Sequence, residues 1–306
     1  MKKNPFNWVG NKYKYVKNIN EIIKGKYENV YDVFMGSGNI IVNLDCSANL
    51  FIGNDIIPLL PNLYNVIKEQ EKFTKVELDE IINKWRFTDK AHYYYFRDHW
   101  NKKYLFDNYD RKFIYETILL LKMCSNSMVR FNRKHGYFNQ GFRGISKGRK
   151  EFFTPMAKDK IVRELNDFRT KLQENTFEFH NKDFKDLLLL VNKGDLVLLD
   201  PPYILSEGMY GADFTKEDDQ YIFDFLSTTE ADFVYFNYLE SGDETNKELQ
   251  EFLDKEDFNV EVISERSATG QNKKNVKSIC EIMVSNMDIK EEFNLFSMKW
   301  MLSIIS

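Results

Sequence analysis

The stretch Leu196-Val197-Leu198-Leu199-Asp200-Pro201-Pro202-Tyr203 constrains this chain more than any other. Four consecutive apolar residues read as a strand buried on both faces, the kind that the parallel sheets of α/β proteins contain. The strand stops abruptly in a carboxylate, two prolines and a tyrosine. In open α/β sheets ligands bind just outside the carboxyl ends of the strands, which is where Asp200 falls. The prolines fix two φ angles and remove two amide donors, so the local carbonyls are held stiffly. A carboxylate oxygen, a rigid carbonyl oxygen and an aromatic face side by side suit a planar group that bears an NH2, such as the exocyclic amine of a nucleobase. That amine is a poor nucleophile because its lone pair is delocalised into the ring. Accepting both of its N–H bonds, from the Asp200 side chain and the Pro201 carbonyl, favours a tetrahedral nitrogen able to attack. The plainer reading is a strand followed by a Pro-Pro turn with Asp200 as an ordinary turn residue.

A second constraint comes earlier. Asn29-Val30-Tyr31-Asp32-Val33-Phe34-Met35-Gly36-Ser37-Gly38-Asn39, followed by Ile40-Ile41-Val42-Asn43-Leu44, reads as strand, glycine turn, helix: the first βα unit of a doubly wound sheet. The glycines let backbone approach a ligand closely. Dinucleotide sites need G-x-G-x-x-G, and Ile41 stands at the third glycine position, so a nucleoside-like cofactor without a diphosphate fits better. Leu50-Phe51-Ile52-Gly53-Asn54-Asp55 reads as the next strand, and Asp55 has the spacing of an acid that accepts from ribose hydroxyls. Its plainer role is a helix cap, since Ile56-Ile57-Pro58 follows. At the start of the chain, Trp8, Gly10 and Lys12 precede a helical segment from Tyr15 to Ile23. Lys12 and Trp8 can hold a carboxylate-bearing ligand, or Trp8 is simply buried in a capping loop.

A net charge of −4 argues against a generally basic nucleic-acid binder, so any such surface must be local. From Arg130 to Lys150 the basic residues are Arg130, Arg133, Lys134, Arg143, Lys147, Arg149 and Lys150, with no acid among them. The overlapping segment from Asn126 to Arg143 carries Asn126, Met128, Asn132, Tyr137 and Phe138 and reads as two short strands around a His-Gly turn. Phosphate-binding cations, base-reading amides and apolar wedges are the parts of a DNA-groove hairpin; a solvated basic hairpin is the bland alternative. Ahead of it, Leu78, Ile81, Ile82 and Trp85 lie at helical spacing, and Tyr93-Tyr94-Tyr95-Phe96 reads mostly as helical core.

After Pro155 the sheet pattern returns: helix 159–173, strand 176–179, helix 184–191, the central strand, helix 216–228, strand 232–236 ending at Asn237-Tyr238, and a closing hairpin of 259–264 with 278–285. Residues 204–214 read as a loop that closes over substrate, and 266–277 as a polar, basic tip near a phosphate backbone. Cys46, Cys124 and Cys280 are odd in number and lack metal-ligand spacing, as a reducing cytoplasm allows. No leader and no span of membrane length is expected, and four scattered histidines argue against a metal. The apolar run 293–306 has no functional reading.

The ordered set of motifs resembles the Dam-type, D12-class S-adenosylmethionine-dependent DNA N6-adenine methyltransferases. The set is Trp-x-Gly-x-Lys, then Asp-x-Phe-x-Gly-x-Gly, then Asp-Pro-Pro-Tyr, and the resemblance runs from about Asn4 to about Met287. It implies an α/β, Rossmann-like S-adenosylmethionine methyltransferase sheet with an inserted, mainly helical DNA-recognition domain carrying a β-hairpin. The expected division is 1–62 and 156–306 for the catalytic domain and 63–155 for the target-recognition insertion. By the resemblance, Trp8, Gly10, Lys12, Asp32, Phe34, Gly36, Gly38, Asp55, Asp183, Phe184 and Asp200 attend the cofactor, with Asp183 receiving its adenine. Asp200, Pro201, Pro202 and Tyr203 carry the chemistry on a flipped base. Asn126, Met128, Arg130, Asn132, Arg133, Lys134, Tyr137, Phe138 and Arg143 face DNA. The implied partner is double-stranded DNA, with a cognate restriction endonuclease admitted, and the implied state a monomer, with a dimer on DNA admitted. The order Asn-Ser-Met at 126–128, and Asn139-Gln140-Gly141-Phe142 where the family often has Thr-Pro-Phe-Gly, depart from the pattern and leave the recognised sequence open. Methylation of cytosine N4 or of RNA adenine, and a non-catalytic DNA-binding regulator, stay open as alternatives.

Overall fold

A computed structural model describes residues 4–6, 8, 11–23, 25–125, 131–132, 136–145, 151–205, 214–266 and 279–287. Gly10, Asn126, Met128, Arg130, Arg133 and Lys134 lie outside the described residues, as do most of the 204–214 loop, the 266–277 tip and the run 293–306. In chain order the elements are α1 (Val16–Ile22), β1 (Lys26–Asp32), β2 (Ser47–Asn54), α2 (Leu59–Glu69), α3 (Lys75–Trp85), α4 (Lys90–Leu105), α5 (Arg111–Met123) and α6 (Pro155–Gln173). There follow β3 (Phe177–His180), α7 (Phe184–Leu188), β4 (Leu196–Leu199), α8 (Lys216–Thr228), β5 (Asp232–Ser241), β6 (Glu244–Thr245), α9 (Lys247–Leu253), β7 (Asn259–Arg266) and β8 (Ile279–Ser285). Among the described residues no helix is long and apolar enough to cross a membrane. The described residues fall into two compact units, one from 1–13, 35–43 and 53–182, the other from 14–34, 44–52 and 183–306.

The second unit holds the sheet, ordered β2-β1-β4-β5-β8-β7 with β6 on β5. Its centre is parallel: Val30 pairs with Leu196 between β1 and β4, and Leu196 with Asp232 between β4 and β5. All four residues of β4 are buried, as a strand flanked on both edges and covered on both faces requires. β8 runs antiparallel between β5 and β7, so the expected closing hairpin forms, with its second strand inside the sheet. Val33, Val197, Leu199, Phe233 and Tyr235 pack with Leu187 of α7, Ile222, Phe223 and Leu226 of α8, and Leu249 of α9. Thr215 caps α8 through a reciprocal pair with Asp218, which satisfies two otherwise orphaned amides. The chain goes outward from β1 to β2 and then returns to start β4 on the other side of β1. That reversal of strand order falls at the carboxyl ends of β1 and β4, the place where α/β sheets bind ligands.

Two local expectations are corrected here. Residues 40–44 form only a single 3-10 turn, Ile41–Asn43, instead of a helix. Ile40, Ile41 and Val42 are stiff at χ1, and Asn43 Nδ2 donates to the Asn39 carbonyl at 2.9 Å, a side-chain bond that competes with helix propagation. The strand expected to end at Asn237-Tyr238 runs on to Ser241, because β8 pairs with it along its whole length from Val234.

The first unit is helical apart from β3, which adjoins the end of β2 (the Asp55 amide donates to the His180 carbonyl at 3.2 Å). Its core is aromatic. Trp100 stacks on Tyr104 and Phe113 at 5.3 and 5.1 Å between ring centres, and its Nε1 donates to Thr117 Oγ1 at 2.9 Å. Tyr93 and Phe96 are core as expected, whereas Tyr95 is largely exposed. Glu116 is fully buried, and Lys103 reaches it at 3.0 Å, the pairing a buried carboxylate needs.

Candidate active site

In the second unit, the ladder between β1 and β4 continues one bond past β1, with the Val33 amide on the Leu198 carbonyl at 3.0 Å. Asp32, the last residue of β1, is buried. Asp200 follows β4 half-buried and Pro201 is buried. Tyr203 turns back so that its hydroxyl donates toward Asp200 Oδ1 at 2.7 Å, with Glu281 Oε1 at 3.3 Å. Its ring lies 4.2 Å from that of Tyr238, tilted by 59°. Burial, helped by the Asp200 and Glu281 charges, holds the Tyr203 phenol well above its usual pKa, so it stays a neutral donor. Asp200 is thus held by a hydroxyl at a proline-stiffened corner, with an aromatic pair beside it.

Next to this corner, Phe34 follows β1 and packs on Phe184 at 5.2 Å and on Phe214 at 6.1 Å. Phe184 opens α7, and Asp183 before it is exposed, its Oδ1 accepting the Lys185 amide at 2.9 Å. Asp183 therefore plays the helix-cap part, and as an exposed residue it leaves carboxylate surface open to solvent. Three phenylalanines beside an acid make an apolar wall with a polar edge, the complement of a purine ring bearing an amine.

The first unit carries the glycine turn. Gly36 and Gly38 have φ of +47° and +64°, conformations that L side chains rarely adopt. A Cβ on Gly38 would sit 3.0 Å from the Tyr64 ring. Asp55 braces this turn: its Oδ2 accepts the Gly36 amide at 2.9 Å and its Oδ1 the Ile57 amide at 2.8 Å. It does not cap α2, whose cap is Pro58. Burial lifts its pKa to about 6 against the pull of those two amides. Each oxygen keeps a lone pair for another donor, which is what a ribose diol needs. Lys12 is buried and Trp8 half-buried. Asn4, which the motif reading passes over, straps the turn: its amide donates to Asn39 Oδ1 at 2.9 Å and its Nδ2 to the Ser37 carbonyl and the Tyr64 hydroxyl.

The segment expected as two strands makes isolated bridges instead, Cys124 with Phe142 and Phe131 with Phe138. Side chains from the helices take over the work of a ladder. Asn101 bonds both the amide and the carbonyl of Phe138, at 2.8 and 3.0 Å, and the Tyr93 hydroxyl reaches the Gln140 carbonyl at 2.8 Å. Phe138 is buried against Trp100. Asn132 and Tyr137 are half-buried and joined, the Asn132 amide donating to the Tyr137 carbonyl at 2.8 Å. Arg143 is exposed with its guanidinium 5.0 Å from the Phe152 ring centre. Glu281 and Tyr15, which share a hydrogen bond at 3.0 Å, were also missed. The signal for Glu281 was available: a lone acid in Ile279-Cys280-Glu281-Ile282-Met283-Val284.

Residues 8–281 match the model of the D12 class N6 adenine-specific DNA methyltransferases, so the chain belongs to that family. Among its relatives, the modification methylase StsI of Streptococcus sanguinis is 25% identical over 97% of this chain and 44% of its own length. Type II methyltransferase M.FokI of Planomicrobium okeanokoites is 26% identical over 76% and 35%. Type II methyltransferase M1.LlaDCHI of Lactococcus lactis subsp. cremoris is 23% identical over 91% and 93%. The chain thus spans less than half the length of the first two. Trm5b from Pyrococcus abyssi, a solved structure, aligns over 89% of this chain and 47% of its own at 12% identity and a TM-score of 0.30, a likeness too slight to bear on the fold.

Proposed function

We propose that this chain transfers a methyl group from S-adenosylmethionine to N6 of adenine in a specific duplex DNA sequence, as the modification enzyme of a restriction system. The observation that carries the reading is Asp200, held by the Tyr203 hydroxyl at 2.7 Å in the Asp-Pro-Pro-Tyr corner at the carboxyl end of β4. Family membership and relatives named as modification methylases support it.

Each unit, taken by itself, carries residues that suit a part of S-adenosylmethionine. Asp183 and the Phe34, Phe184 and Phe214 wall suit its adenine, and the spare lone pairs of Asp55 suit its ribose. The Gly36 and Gly38 turn admits a ligand close to backbone, and the buried Lys12 suits its carboxylate. When bound, this group supplies a methyl on a sulfonium, which an amine can attack in line. The chain's own residues supply the rest. The 63–155 insertion, with Asn132, Tyr137 and Arg143 and the undescribed Asn126, Met128, Arg130, Arg133 and Lys134, docks on duplex DNA through phosphate and base-edge contacts. An adenine leaves the stack, because its amine cannot otherwise reach the corner, and stacks on Tyr203. Asp200 and the Pro201 carbonyl accept its two N–H bonds and turn the nitrogen lone pair outward. Catalysis is then positioning and hydrogen-bond polarisation.

The test is expression in a host free of DNA methylation, followed by nucleoside digestion of its DNA. N6-methyladenine at one sequence context is the expected result. N4-methylcytosine, or no modified base alongside tight DNA binding, would discard the reading.

A further inference from the structure

Lys84 stands in the last turn of α3 and Lys112 in the first turn of α5. Both line a cleft of about 410 Å³ within the first unit, together with Glu77, Glu80, Arg111 and Tyr115. The two ammonium groups come within hydrogen-bonding range of each other, although an ammonium carries donors and no acceptor. Burial lowers the Lys112 pKa, and the Lys84 and Lys103 charges add to that against the pull of Glu116. Like charges brought together in this way are destabilising. Acids are at hand, yet they do not relieve the contact. Glu80 stands four residues before Lys84, the order in which an acid best pairs a lysine along a helix, but among the described residues Lys84 makes no ion pair with it. Glu77 is taken by Arg111 at 2.6 Å, and Glu116 by Lys103 at 3.0 Å.

The rest of the cleft is committed. Arg111 spends its guanidinium on Glu77, at 2.6 and 2.9 Å, and on the carbonyls of Glu71 and Lys72. The Tyr115 hydroxyl is bonded to the Thr74 carbonyl and to Glu77. What faces a ligand is therefore charge, two ammoniums with the exposed Glu80 on the rim. We propose that Lys84 and Lys112 form a phosphate site that grips one backbone phosphodiester of the duplex flanking the target adenine. This rests on the function proposed above. A phosphate between the two lysines turns their repulsion into two charge-assisted hydrogen bonds and reads no sequence. The occupant follows from what lies next to the cleft. Phe113, beside Lys112, stacks on Trp100, Trp100 on Tyr104 and Tyr104 on Phe131, with ring centres 5.1, 5.3 and 4.9 Å apart. Phe131 belongs to the acid-free basic stretch 130–150. Three ring contacts thus join the lysines to the segment proposed to lie on DNA, and a duplex carries a charge about every 1.7 Å of its axis.

The experiment is equilibrium binding of the full chain to two duplexes, one with the methylated sequence context and one without it, over a series of salt concentrations. The variants are Lys84→Met, Lys112→Met and the pair together. The double variant should bind both duplexes more weakly at low salt and by the same factor, because a phosphate contact carries no sequence. Its plot of log affinity against log salt should be shallower by about 0.9, the share of one phosphate. Between roughly 50 and 200 mM salt the wild type then loses about threefold more affinity than the variant. The melting temperature should not fall, since a like-charge contact is removed. Should Lys112→Met fold poorly, the exposed Lys84 decides through Lys84→Met alone. An unmoved salt slope, a loss confined to the duplex with the methylated context, or a loss equal at every salt concentration would each overturn the site. If the unaltered chain puts no methyl on adenine, the proposed function falls and this inference with it. If it does and the slope is unmoved, only this inference falls.

Discussion

Two aspartates close two turns in this molecule, and they are gripped differently. Asp55 in the first unit is held by backbone, one oxygen on the Gly36 amide and the other on the Ile57 amide. Asp200 in the second unit is held by a side chain, the Tyr203 hydroxyl, which has Glu281 as a second acceptor. Backbone amides cannot turn away, so Asp55 is a fixed brace that keeps the glycine turn open. A hydroxyl can rotate, so this hold on Asp200 is adjustable in a way that the one on Asp55 is not. A fixed acceptor suits the first arrangement and an adjustable one the second.

The sharpest way to break the comparison is Asp200→Ala. It should leave the fold and DNA binding intact and cut methyl transfer roughly 10³-fold, read by single-turnover assay beside circular dichroism. Comparable turnover in Asp200→Ala would remove Asp200 from the reaction altogether.

Asp55 should respond to pH instead. Its folded pKa of about 6 stands above the ordinary 3.8. Between those values the folded chain holds a proton that the unfolded chain has lost. Its contribution is therefore present below that window and lost as pH rises through it, by about 3 kcal/mol. Asp55→Asn should flatten this part of the stability–pH curve in urea titrations. In the wild type, S-adenosylmethionine binding should weaken as pH falls through about 6, because the ionised carboxylate is the better acceptor.

Smaller effects sharpen the fixed side. Gly38→Ala forces a side chain to φ +64° and against Tyr64, which should cost about 1–3 kcal/mol in thermal melts. Asn4→Ala removes the strap on the same turn and should cost about 1 kcal/mol, with a modest loss of cofactor affinity by calorimetry.

Much of this was legible in the residues, and the part that was not has a common cause. β4 and its corner announce themselves because four apolar residues and two prolines act locally. The same holds for α8, whose cap Thr215 sits three residues from its partner Asp218. The turn at 40–44 was misread because the bonds that stop it, among Ser37, Asn39 and Asn43, look like any polar turn in sequence. The loop around Phe138 was misread because its partners, Asn101 and Tyr93, lie 37 and 47 positions away. Glu281 was missed because its meaning depends on Tyr203, 78 positions earlier.

The position of β8 also bears on how the molecule is made. Synthesis from the amino end delivers β5 and then β7 before the strand that lies between them exists. Until residues 279–285 leave the ribosome, β7 has no neighbour to hydrogen-bond and Tyr203 has no second carboxylate. Long-range pairing of this kind forms late and slowly. A chain synthesised only as far as β7 therefore lacks the strand that pairs β7 with β5 and brings Glu281 to Tyr203.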